Sequence, residues 1–335
     1  MSVPLRVAVV GLGWMGTEHA RILADRPDLD LVAVVDRRSE HAVTVAGQLG
    51  TTAVGDFADV VGSIDAVSIC TPDHAHEELV LAAISHGLRV IVEKPMATSV
   101  DAAARMLAAS PDDATLTVGH LLEHDPRIER ARQMIDRGDL GDLWHARVRR
   151  HASRAVADHV ASGSSVGWFG TIHDADLLLS LTGSRPTSVH ATGRRGLVSS
   201  QWDVIDATVM MESGVYGTLH ESWTLPAGRA NRSDSGIAII GSGGGIEVDL
   251  GHGQVLFSDA TSSVAPDVMH YPSVTLRDRS DLETELHAWA RTLRTGVQYG
   301  VGARRAFAAV ALVDAIHRSL ESGMPQDVVA SPIAT

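Results

Sequence analysis

The sequence predicts a two-domain α/β protein, a doubly wound parallel sheet followed by an α/β domain whose sheet is mainly antiparallel. Three observations carry this expectation. The chain has 335 residues, 44% of them hydrophobic and 21% charged, enough for about two domains with buried cores. Up to about residue 120, short runs rich in Val and Ile alternate with helical patterns, as in a parallel sheet buried on both faces. Beyond that point, closely spaced strands follow one another through Gly or Ser turns, which favours antiparallel pairing.

Taken in order, strands are predicted over residues 5–10, 31–35, 66–69, 90–92 and 115–118. The pieces between them, 17–25, 39–49, 74–86 and 99–109, have polar starts and helical apolar spacing, so the whole reads as repeated βαβ. After Asp125 and Pro126 one helix over 127–137 ends at Gly138, and 143–151 alternates as a strand. The predicted division is therefore 1–122 and 123–335. Residues 153–167, polar and glycine-containing, read as a loop over a cleft. Further strands are predicted over 186–196, 204–212, 215–224, 237–240, 246–250 and 254–257, and two helices, 282–294 and 302–321, close the chain. Gly241 to Gly245, lying between two of these strands, is expected to be a turn rather than a phosphate loop.

Composition excludes several functions. A formal charge of −13 lacks the basic footprint of a nucleic-acid binder. No stretch approaches the roughly 20 apolar residues that cross a bilayer, and the first residues form a strand pattern without signal-peptide features. One cysteine, Cys70, cannot make an internal disulfide, so a cytoplasmic, soluble protein is expected. The 17 histidines offer no metal constellation: His74 and His76 have strand-like ligand spacing but begin a helix, and no partner motif accompanies them.

The first strand runs directly into Gly11, Gly13 and Gly16, spaced G-x-G-x-x-G, with a helix starting near Trp14. In such a loop the glycines provide a tight turn, close approach of backbone to pyrophosphate, and close helix–strand packing, while the helix offers its first amides to phosphate. Asp36 ends the second strand 20 residues after Gly16, where a carboxylate can accept hydrogen bonds from the adenosine ribose. This is the pattern of a Rossmann dinucleotide-binding domain. A 2′-phosphate beside Asp36 would meet like charge, which favours NAD over NADP, although Arg37 and Arg38 could pair with such a phosphate or stack on adenine.

Downstream, Cys70, Thr71, Pro72, Asp73, His74, Ala75 and His76 precede a helix, and a strand then ends in Glu93, Lys94 and Pro95. With Gly119 and His120 before Asp125 and Pro126, and with the block Ile172, His173, Asp174, Ala175 and Asp176, this resembles the glucose-fructose oxidoreductase, inositol dehydrogenase and MocA (Gfo/Idh/MocA) family over essentially the whole chain. The resemblance implies a Rossmann domain and a second α/β domain with a large open sheet that often makes the interface of a homodimer or homotetramer. It also implies hydride transfer between NAD and the secondary hydroxyl, or keto carbon, of a sugar or cyclitol. Lys94 would touch cofactor and substrate and His173 would act as acid/base, a task suited to an imidazole near neutral pH. Cofactor contacts are expected at Gly11, Gly13, Trp14, Met15, Gly16, Asp36, Arg37, Thr71, Pro72, His76, Glu93 and Lys94. Substrate contacts are expected at Lys94, His120, Trp168, Phe169, His173 and Asp174.

Two positions depart from the pattern that the resemblance implies. Many members carry an aspartate four residues before the histidine, where this chain has Phe169. A phenylalanine cannot orient an imidazole, though Trp168 and Phe169 could form an aromatic wall for a sugar ring. Glu123 and His124 stand where one branch carries a cation, which leaves Arg154, Arg229 and Arg232 to serve an anionic substrate. Two alternatives accordingly stay open: a catalytically idle dinucleotide or sugar sensor, and a reductase of a keto or imine intermediate.

Overall fold

The computed structural model describes residues 3–160, 164–228, 233–251, 257–258, 263–264 and 280–332. The elements, in chain order, are β1 Leu5–Val10, α1 Trp14–Ala24, β2 Leu29–Val35, α2 Ser39–Leu49, β3 Thr52–Val54, β4 Ala66–Ile69, α3 His76–Ser85, β5 Arg89–Glu93, α4 Val100–Ala109 and β6 Leu116–Gly119. There follow α5 Pro126–Asp136, β7 Leu143–Ser153, α6 Arg154–Val160, α7 Ile172–Thr182, β8 Pro186–Arg195, β9 Trp202–Met211, β10 Tyr216–Leu225, β11 Ser233–Gly241 and β12 Gly245–Asp249. The paired strands β13 Phe257–Ser258 and β14 Ser263–Val264, α8 Asp281–Thr295, β15 Val301–Gly302, α9 Ala303–Ser322 and β16 Gln326–Asp327 complete the chain.

The first unit comprises residues up to 121 together with 280–307. Its sheet runs β15-β6-β5-β4-β1-β2-β3, parallel except for β15. Strands β4, β5 and β6 are buried almost throughout, because helices cover both faces and Val, Ile and Leu can fill both. The order reverses between β1 and β4, the place where open α/β sheets bind ligands at their carboxyl ends. The sequence predicts that everything beyond 122 belongs to the second domain. The structure returns 280–307 to the first: Val301 pairs with Val118 of β6, and Arg294 of α8 donates to Asp28.

The second unit comprises 122–264 and 308–332, so the helix α9 contributes its first five residues to one unit and the rest to the other. Its sheet runs β12-β11-β7-β10-β9-β8-β16, with β7 and β10 parallel and the other pairs antiparallel. Along β9 the odd positions from Asp203 to Met211 are buried and the even ones are not, the alternation of a sheet with one covered and one open face. The expected turn at Gly241 is a hairpin, closed by Gly241 N–H donating to the Gly244 carbonyl. Two expectations change. The stretch foreseen as a loop at 153–167 contains α6, and a five-residue π turn over Gly167–Thr171 leads into α7. Of the strand expected at 254–257, residues 254–256 lie outside the described residues, as do Arg229 and Arg232. Among the described residues no helix is long and apolar enough to cross a membrane.

Candidate active site

In the first unit each glycine of the loop has a distinct physical task. Gly11 has φ +86°, and a Cβ there would lie 2.8 Å from the backbone of Cys70 and Thr71. A Cβ on Gly16 would lie 1.8 Å from the Gly11 carbonyl oxygen, so α1 can approach β1 only through a glycine. Gly13 differs: it is exposed, it caps α1, and a Cβ there would meet nothing within 4 Å. The loop is thus closed on its protein side and open where α1 presents its first amides, which fits a dinucleotide pyrophosphate.

Asp36 stands at the end of β2 against this loop, accepting Leu12 N–H at 2.8 Å. Arg38 grips the same carboxylate through its backbone N–H at 2.8 Å, Nε at 3.0 Å and Nη2 at 2.9 Å. The Arg38 guanidinium, helped by the backbone amides, outweighs burial and holds Asp36 well below the usual carboxylate range. Arg37, the neighbour named from sequence, is exposed and forms no bond among the described residues; the arginine engaged is Arg38. Trp14 is 56% exposed at the start of α1, with Met15 half-buried behind it.

The ends of β4, β5 and β6 bring the remaining candidates of this unit together. His76 is buried, Nε2 lying 2.9 Å from the Thr71 carbonyl and Nδ1 2.9 Å from the Pro95 carbonyl, so it ties the Thr71–Pro72 loop to the turn after Lys94. Both ring nitrogens of His76 thus face carbonyl oxygens of the protein's own backbone. Glu93 is buried; its Oε2 accepts Lys94 N–H at 3.2 Å and its Oε1 lies 3.2 Å from Nε2 of His19. Burial opposes charge on His19, but the Cys70 sulfur and the Glu93 carboxylate outweigh it and hold the imidazole well above its ordinary pKa. Burial likewise opposes the Glu93 charge, and His19, Lys94 and His76 overcome it, so Glu93 stays below its ordinary value. His19 Nδ1 is 2.8 Å from Ser68 Oγ, and Glu285 of α8 completes a buried cluster with His19 and Glu93. Lys94 itself is half-buried, while His120 is buried just past β6.

In the second unit the π turn carries Trp168 and Phe169, and α7 carries His173 and Asp174. Trp168 stacks on His317 of α9 at 5.2 Å and 9°, so one face of the expected aromatic wall is taken by the protein. Phe169 and His173 are half-buried. Asp174, expected on the substrate's side, is instead fully buried, its Oδ1 accepting Arg150 Nε at 3.0 Å and Nη2 at 2.6 Å. Glu123 also has a structural partner set, an ion pair with Arg132 and a hydrogen bond from Ser180 Oγ at 3.0 Å.

Two family models match the chain. Residues 5–120 fit the oxidoreductase family model with an NAD-binding Rossmann fold, and 128–247 fit the GFO/IDH/MocA C-terminal domain. This chain belongs to the Gfo/Idh/MocA oxidoreductase family. Among similar Gfo/Idh/MocA proteins, inositol 2-dehydrogenase of Rhodococcus jostii (strain RHA1) is 28% identical over 340 residues, 96% of this chain and 92% of that one. The scyllo-inositol 2-dehydrogenase (NAD(+)) of Bacillus subtilis (strain 168) is 28% identical over 308 residues, 88% of each chain. The fold is shared with scyllo-inositol dehydrogenase from Lactobacillus casei solved with NAD(H) and scyllo-inositol, at TM-score 0.84 and 21% identity over 97% of this chain and 99% of that one.

Within this Gfo/Idh/MocA chain, sequence reasoning missed the buried charged residues behind the candidates: His19, Glu285, Arg150 and Glu221. His19 left a signal, standing three residues after Gly16 on the face of α1 that carries Gly16 and Leu23 into the core. The others, on strands and a distant helix, have no local pattern that marks them.

Proposed function

We propose that this enzyme transfers hydride between the secondary hydroxyl of a cyclitol or related polyol and the nicotinamide of NAD. The observation that carries this reading is the loop open only at Gly13, together with full-length relatives named as inositol dehydrogenases. NAD, when bound, supplies the hydride acceptor. Lys94, at the carboxyl end of β5, holds positive charge against the alkoxide that forms as the hydroxyl proton leaves. His173 takes that proton in oxidation and returns it in reduction. Glu93 and His19 hold the Lys94 backbone, and His120 and Phe169 contact the substrate. The charge of Asp36 favours the ribose hydroxyls of NAD over a 2′-phosphate, with Arg38 sharing the carboxylate.

The test is to supply the purified protein with NAD or NADP and a panel including myo- and scyllo-inositol, following nicotinamide absorbance in both directions. Turnover of at least one cyclitol, with NAD preferred by about tenfold or more in kcat/KM, is expected. A protein that binds NAD but oxidises no polyol, and reduces no corresponding ketone, refutes the proposal.

A further inference from the structure

Beneath the start of α7, two carboxyl groups meet out of reach of water. Glu221 of β10 and Asp174 of α7 are both 0% exposed, and Arg150 of β7 links them, as register partner of the first and ion-pair partner of the second. Both hydrogen bonds from Arg150 to Asp174 go to one oxygen, Oδ1. Asp174 Oδ2 and both Glu221 oxygens accept no hydrogen bond from any N–H or O–H group of the described residues. A contact between two ionised carboxylates is repulsive and leaves those oxygens unsatisfied; a single proton between them converts it into an O–H···O⁻ bond. Protonating one of the two acids also removes a buried charge beside the Arg150–Asp174 pair.

We propose that Glu221 is a positioning residue: it keeps a proton that it donates to Asp174, and the chain Arg150, Asp174, Glu221 fixes the first turn of α7, from which His173 is presented. The inference rests on the proposed role of His173 and supplies, from the sheet, the carboxyl support that Phe169 cannot give. Glu221 and Arg150 are register partners on neighbouring strands, so the sheet sets their spacing. Gly170 leaves room for the acid: a Cβ there would lie 3.1 Å from Glu221 Oε2. The π turn over Gly167–Thr171 ends where α7 begins, so the helix start is held from below by this bond rather than by a regular preceding turn.

Burial, and then Asp174, push the Glu221 carboxyl well above its ordinary pKa, with Arg150 opposing. Among the described residues of the elements packed around it, the facing charges are Asp174 of α7 and Arg150 of β7. Ile205 stands opposite on β9, the π turn offers no titratable group, and Arg154 and Asp158 of α6 are exposed.

The test compares Glu221→Gln, which still donates a hydrogen bond without charge, with Glu221→Met, which fills the space but donates nothing. Infrared difference spectra should show a protonated-carboxyl C=O stretch in the wild type near neutral pH that is missing from Glu221→Gln. The imidazole resonance of His173, assigned by its loss in His173→Asn, should titrate as in the wild type in Glu221→Gln and shift in Glu221→Met. In turnover, Glu221→Gln should lose no more than about threefold in kcat and Glu221→Met about tenfold or more, both with unchanged NAD affinity. Absence of the infrared band, or a Glu221→Gln variant as impaired as Glu221→Met, overturns the proposal. Failure of the wild type to oxidise any polyol sinks the proposed reaction instead, and the infrared and His173 measurements still decide where the proton sits.

Discussion

Replacing Gly13 by alanine should separate cofactor binding from folding. Gly13 has φ −66° and ψ −169°, a conformation open to alanine, and a Cβ meets nothing within 4 Å. The protein cost is that of alanine at a helix cap, about 1 kcal/mol, so the melting temperature should fall by only a few degrees. The added methyl, however, stands in the open mouth of the loop, where a phosphate oxygen must come to about 2.9 Å of an amide. Losing one charge-assisted hydrogen bond costs about 1.5–3 kcal/mol, which raises Kd for NAD by about 10–150-fold. Gly16→Ala provides the contrast: its Cβ would sit 1.8 Å from the Gly11 carbonyl oxygen, so β1 and α1 must separate, at about 4 kcal/mol or more. Thermal melts and calorimetric NAD titration of both variants read the difference. A folded Gly13→Ala protein that binds NAD as the wild type does would refute the assignment of the loop to pyrophosphate.

Other outcomes follow from the same geometry. Asp36→Ala should narrow the preference for NAD over NADP by about tenfold or more in kcat/KM, because the repelling carboxylate is gone; an unchanged ratio would remove Asp36 from cofactor selection. Lys94→Ala and His173→Ala should each lower kcat by about 10²–10⁴ with the melting temperature little changed; activity within a few-fold of wild type would exclude either from the chemistry. His19→Ala should destabilise the protein by about 3–5 kcal/mol, since it removes the imidazole paired with the buried Glu93 carboxylate. Because the folded His19 pKa is raised, the stability it contributes is complete below about pH 6.5 and lost as pH rises through the folded value. Denaturant melts across pH should show that alkaline decline in the wild type and not in the variant.

The parallel sheet was legible because both its faces are buried, so its strands appear as uninterrupted Val and Ile runs, and its glycines have tasks that no other residue can perform. The antiparallel strands were legible for the opposite reason, an alternation that one open face imposes. What escaped were contacts between residues far apart in the chain. Nothing local to Glu221 announces that Asp174 lies against it, and nothing local to Val301 announces that it borders β6. The helix α6 was missed because polar residues and a following glycine outweighed its short helical spacing. Asp174 was placed on the substrate side from its neighbour His173, although residues adjacent on a helix point about 100° apart.

The return of residues 280–307 to the first unit also sets an order on biosynthesis. A ribosome that has delivered β1 to β6 has made six strands of this sheet, but β6 still has a bare edge and Asp28 lacks the arginine of α8. The missing pieces emerge some 180 residues later, after every residue of β7 to β12 has been synthesised. The nascent dinucleotide-binding half must therefore wait with a pairing-competent strand exposed, a condition in which foreign strands can add. A fragment cut after residue 122 would carry that same open edge permanently, so its yield as a soluble protein should depend on supplying the 280–307 segment alongside it.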